Sequence, residues 1–149
     1  MNDARAAPTG LALWHVWFVG LLLLAWNALS CYSHVMTLTQ NAAYFRGTGV
    51  TPEIAAYFAA VPDWYVVTWT IGVWGGLLAA VGLLMRKSWA VGWFAASQLA
   101  MVINSVWTLL NPDAYVLGSV AWIFAAVVIA LAVFVVPYSI ALKRRGILR

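Results

Sequence analysis

The sequence predicts an all-α fold, an integral membrane bundle of four transmembrane helices with a short interfacial helix in the first outer loop. Three observations predict it. The 149-residue chain is 65% hydrophobic and only 8% charged, whereas about a quarter of the residues in soluble chains carry charge. The charges leave four uncharged runs, 6–45, 64–85, 88–112 and 114–142, each longer than the ~20 residues a helix needs to cross about 30 Å of hydrocarbon. Finally, seven of the eight basic residues fall on one side of the arrangement those runs imply.

Taken in order, the first span is expected over about 11–36, the second over 64–85, the third over 89–110 and the fourth over 115–140. Together they make 1–149 a single membrane domain. A lipid-exposed backbone must satisfy its own hydrogen bonds, which makes each span a helix. The joins "RKS" and "NPD" are minimal, so those neighbours pack antiparallel. Only the outer loop, 37–63, has room for structure. There Thr51 can cap, Pro52 suits a first helical position and Glu53 complements the positive helix end. A helix over 52–60 follows, with Ile54, Tyr57, Phe58 and Val61 on one apolar face. It is expected to lie flat at the membrane surface or over the mouth of the bundle, with Tyr57 and Phe58 pointing inward.

Lysine and arginine near helix ends favour the cytoplasmic side. Arg5, Arg86, Lys87, Lys143, Arg144, Arg145 and Arg149 lie on one side; Arg46, Glu53, Asp63 and Asp113 lie on the other. Both termini are therefore expected in the cytoplasm. The net charge of +4 reflects topology and does not call for a nucleic acid. In the second span Gly72, Gly76 and Ala80 recur every four residues, which predicts a close packing seam. Trp14, Trp17 and Trp89 on the cytoplasmic side, and Trp64 and Trp69 on the outer side, fit interfacial belts.

The polar residues of the spans collect at one depth. Asn27, Cys31 and His34 share a helical face with Ser30 beside them, while Ser33 lies off that stripe. The same outer third holds Thr68, Thr70, Asn104, Ser105, Thr108 and Ser119; Gln98 is deeper. Polar side chains avoid lipid, so their convergence predicts a polar recess open to the outer side, which Trp26, Trp69, Trp107 and Tyr115 can line. The candidate ligand-binding residues are Asn27, Cys31, His34, Thr68, Trp69, Asn104, Ser105 and Trp107. The alternative is that the same groups hydrogen-bond across helices as glue. If His34 joins the recess, ligand binding should change between about pH 5.5 and 7.5.

Other chemistry finds little support. Cys31 is the single cysteine, which excludes an internal disulfide framework and multi-cysteine metal sites. The stretch "ALSC" loosely matches a lipoprotein signal, but a retained first helix fits its length and aromatic content better. His15 and His34 are separated by about 28 Å along one helix at 1.5 Å per residue, too far to share a metal. Paired carboxylates, HExxH and phosphate-binding glycine loops are absent, so no enzymatic activity and no cofactor are expected.

The segments "WNALSCYSHVMTLTQNAAYF" and "TPEIAAYFAAVPDWYVVTWTIGVWGGLL" resemble a family of small proteobacterial four-helix inner-membrane proteins often labelled "sugar transporter". The resemblance runs from about 14 to 107. It rests on Trp26-Asn27, Met36-Thr37, Asn41, Ala43-Tyr44, Thr51-Pro52-Glu53, Ala56-Tyr57-Phe58, Pro62, Trp64 and Gly72-Val73-Trp74-Gly75. Relatives often carry Asp where Ser33 stands, so a role for that acid does not transfer. The resemblance implies a bacterial inner-membrane location and favours a role on the outer side. Two function classes follow: a non-catalytic module that binds a small or lipid-like ligand or docks onto a larger membrane complex, and a transporter of small neutral solutes such as sugars. Coupled transport generally places ionisable groups near the midplane, and no acidic or basic residue lies in any span. Membrane lipids are expected partners, as is a homo-oligomer or a larger complex.

Overall fold

The computed structural model describes residues 13–149, which form six α-helices and one 3-10 turn. Four helices are long and apolar enough to cross a membrane: α1 (Trp14–Leu38), α4 (Asp63–Leu84), α5 (Ala90–Leu110) and α6 (Ser119–Arg144). Large apolar side chains stand exposed along all four, among them Leu22, Val67, Leu99 and Val133, which is how helices bathed in lipid are expected to look. Arg5 and the expected start of the first span at 11 lie outside the described residues.

The outer loop holds two helices where one was expected. α3 (Pro52–Ala59) starts as anticipated: the Thr51 hydroxyl accepts from the Ile54 amide at 3.4 Å, and Pro52 occupies the first turn. Tyr57 is buried and Phe58 stacks on Trp69 with 5.6 Å between ring centroids, so both point inward. α2 (Ala42–Thr48) was not foreseen, yet Asn41 caps it through a 2.8 Å bond from the Tyr44 amide and Gly49, at φ 73°, ends it.

The fourth span differs from expectation at both ends. The residues 112–117 wind into the 3-10 turn Pro112–Leu117, started by the Asn111 carboxamide oxygen accepting from the Asp113 amide at 3.0 Å. Gly118, at φ 54° and ψ −137°, then reorients the chain, and α6 begins only at Ser119. That backbone geometry strongly favours glycine. The helix runs on past 140 to Arg144, carrying Pro137 within it.

α4 packs against both α1 and α5, and α5 packs against α6. The small-residue seam lies inside the chain. A side chain at Gly76 would collide with the Asn27 carboxamide and approach the Ser97 hydroxyl at 3.1 Å, while one at Gly72 would run into Met101. One face of α4 thus touches α1 and α5 together. The apolar core sits toward the end bearing Arg86 and Lys87, where Val16, Leu83, Ala90, Phe94, Val135 and Leu142 are almost fully buried. The chain after α6 folds back onto that end. Gly146, at φ 71°, closes a Schellman turn with bonds from the Gly146 amide to the Lys143 carbonyl and from the Ile147 amide to the Leu142 carbonyl, both 3.0 Å. Leu148 enters the core, and Arg149 pairs with the α4–α5 turn, its amide donating to the Arg86 carbonyl at 2.8 Å and its carbonyl accepting from the Ser88 amide at 2.9 Å.

Candidate functional site

α1 and α6 approach each other where His15 Nδ1 lies 2.7 Å from the Tyr138 hydroxyl. Farther along they stand apart, and the gap between them is a cavity of about 310 Å3. Its walls are Trp26, Asn27, Ser30 and Ser33 from α1 and Phe124, Val128 and Leu131 from α6. Its floor is the glycine face of α4, Gly72 and Gly76, together with Phe94, Ser97, Gln98 and Met101 of α5. A second cavity, about 410 Å3, lies beneath α3 and between α5 and α6, lined by Ile54, Phe58, Tyr65, Asn104, Ser105 and Thr108 among others. Trp69, Met101 and Phe124 line both, so the two spaces adjoin.

The polar groups beside these cavities are unevenly satisfied. Asn104 is buried; its carboxamide oxygen accepts from the Thr68 hydroxyl and its amide donates to the Tyr65 carbonyl at 3.2 Å. Thr68 also stands within reach of the Trp64 and Tyr65 carbonyls, and its single proton serves one of these acceptors at a time. Asn27 turns its amide back to the Leu23 carbonyl at 2.7 Å, leaving its oxygen at the glycine floor. Ser97 donates to the Gly72 carbonyl at 2.6 Å. Two atoms have no partner among the described residues: the Gln98 carboxamide oxygen, beside the first cavity, and the Ser105 hydroxyl, beside the second. They sit seven positions apart on α5, with Met101 between them, on one helical face.

The expected common recess is therefore divided. Asn27 belongs to the first cavity, Asn104 and Ser105 to the second, and Trp69 forms the partition. Trp69 faces inward and is no belt residue; it meets His34 edge-on at 4.8 Å. His34 lines neither cavity. It is buried behind Trp69 with Nε2 3.1 Å from the Thr70 hydroxyl, so the anticipated pH dependence of a recess containing it has no geometric basis. Cys31 is likewise buried and lines neither space. Thr68 acts through Asn104, and Trp107 packs on Tyr65 at 4.9 Å, facing an outer crevice beside α3. Ser33 and Ser97 were missed. Ser33 lies off the α1 polar stripe yet faces the gap to α6, and Ser97 was hidden among the alanines of "FAASQLA", though its seven-residue spacing from Asn104 places both on one face of α5.

Compared with known proteins, the chain matches no family model, no curated protein and no solved structure. Its chemistry must be read from the two cavities themselves. No acidic, basic or histidine side chain lines either one. Such a site offers hydrogen bonds and apolar contact, with no charge to exchange a proton or hold a metal. No cluster of three or more metal-ligating side chains occurs among the described residues.

Proposed function

We propose that this chain is a multi-pass protein of the bacterial inner membrane, with both termini cytoplasmic, that acts as a non-catalytic module binding a small neutral, lipid-like ligand. The observation that carries this reading is the first cavity's position. It opens between α1 and α6 past Trp26, Leu29 and Phe124, all exposed on the apolar flank of the bundle. A molecule dissolved in the bilayer could enter sideways without crossing water. At about 310 and 410 Å3 the two spaces are of the size that holds small ligands. The unpartnered Gln98 and Ser105 oxygens favour a head group that donates hydrogen bonds, such as a hydroxyl or an amide.

Facilitated passage of small neutral solutes is the second reading, favoured by the contiguity of the two cavities. Against it stands the core at the basic end, where Ala79, Ala80, Leu83 and Val135 have no exposure at all. A through-path would have to open that packing. The orientation follows from Arg86, Lys87, Lys143, Arg144, Arg145 and Arg149 gathering at one end. A compartment-sensitive reporter fused after Arg149 should be active in the cytoplasm, and periplasmic activity would overturn the topology. For binding, native mass spectrometry of protein extracted from its membrane should show a retained neutral adduct. Ser33→Phe, which fills the gap between α1 and α6, should lower its occupancy about fivefold, or roughly 1 kcal/mol. Equal occupancy in both proteins would sink the cavity assignment.

A further inference from the structure

A separate crevice of about 380 Å3 opens between α3 and the 3-10 turn, lined by Glu53, Tyr57, Trp107, Asn111, Asp113 and Tyr115 among others. Two carboxylates flank it, and no lysine, arginine or histidine lines it. Each carboxylate has a local reason to be there, since Glu53 and Asp113 lie in the first turns of their own helices, where negative charge complements the helix dipole. That reason does not extend to Tyr57. Its side chain is only 7% exposed, and its hydroxyl has no hydrogen-bond partner among the described residues. Burial and the neighbouring Asp113 carboxylate both push the phenol above its ordinary pKa, so it remains a neutral oxygen with lone pairs to offer. Trp107 and Tyr115 add aromatic faces, which attract cations.

We propose that this crevice binds a small organic cation carrying a primary ammonium group. The carboxylates supply the countercharge and the aromatic rings a polarisable wall. The Tyr57 oxygen accepts an N–H, which a primary ammonium has and a quaternary one lacks. The ammonium can belong to a free amine or to an aminophospholipid head group, because the crevice sits at the end of the bundle where head groups are expected. This site is independent of the lipid-like ligand proposed above and shares no lining residue with either cavity.

The test uses the full chain in nanodiscs of phosphatidylglycerol, which carries no ammonium, titrated calorimetrically with ethanolamine and with tetramethylammonium. Ethanolamine should bind saturably and more tightly. Glu53→Gln and Asp113→Asn, near-isosteric changes at exposed positions, should each weaken it about fivefold. Tyr57→Phe should narrow the preference for ethanolamine over tetramethylammonium. In nanodiscs containing phosphatidylethanolamine, a fall in the apparent affinity for free ethanolamine identifies the lipid head group as the occupant, and an unchanged affinity identifies the free amine. The proposal is overturned if ethanolamine shows no saturable binding, if calcium binds in its place, or if the carboxylate variants bind ethanolamine as the unaltered protein does while circular dichroism shows both folded.

Discussion

Asn104 and Asn27 solve the same problem, an amide inside an apolar bundle, in different ways. Asn104 is satisfied across the α4–α5 seam by Thr68 and the Tyr65 carbonyl, whereas Asn27 bonds within its own helix to Leu23. They are not partners. A double-mutant cycle of Asn27→Leu with Asn104→Leu should therefore be additive within about 0.5 kcal/mol, while Thr68→Val with Asn104→Leu should show a coupling of about 0.5–2 kcal/mol. Unfolding in mixed detergents would measure both, and strong coupling of the two asparagines would contradict the divided site. The sequence located these residues at one depth but could not pair them, because depth follows from hydropathy whereas facing depends on how four helices rotate about their axes. His34 shows the same limit: its stripe with Asn27 is real, but Trp69 stands between it and the cavities. At the outer crevice, the Thr51 hydroxyl is the main cause that holds the Glu53 carboxyl below its usual range. A carboxylate with a lowered pKa keeps its charge at every higher pH and loses it only as pH falls through that lowered value. Ethanolamine binding should accordingly be flat from about pH 5 to 8, and calorimetry at both limits checks this; a decline across that range would implicate another group.

Among the elements, the spans were legible because length and the absence of charge decide them, and α3 was legible because Thr51, Pro52 and Glu53 form a recognisable helix start. α2 carried signals of comparable clarity in Asn41 and Gly49, which pass for loop residues when helix length is the criterion. The fourth span was misplaced because Tyr115, Val116 and Leu117 are apolar enough to read as helix, while Gly118 imposes a backbone turn that hydropathy does not register. The fold-back of the last residues was not foreseeable either. It depends on Arg86, a non-glycine residue at φ 56°, presenting its carbonyl to Arg149. Leu148, 3% exposed, anchors this element in the core. Leu148→Ala should destabilise the protein by about 2–3 kcal/mol, seen as a lower thermal midpoint in detergent. No change would mean that the fold-back contributes little in the membrane.

At the scale of the whole molecule, the bundle is closed at one end and parted at the other. Its basic end is packed with Leu83, Phe94, Val135 and Leu142 and tied by the His15–Tyr138 and Arg86–Arg149 contacts. Beyond that, α1 and α6 diverge, and the glycine face of α4 becomes a floor in place of a seam. Binding of a lipid-like molecule requires that this floor be reached from the bilayer. Photo-crosslinking tests that most directly: the reconstituted protein is irradiated with a diazirine-bearing fatty alcohol and the labelled residues are mapped by mass spectrometry. Saturable labelling should fall on Ser97, Gln98 and Met101 of α5 and on Val128 of α6, and Ser33→Phe should suppress it. Labelling confined to outward-facing residues such as Leu22, Leu99 and Val133, with no saturation and no response to Ser33→Phe, would contradict the lateral binding site.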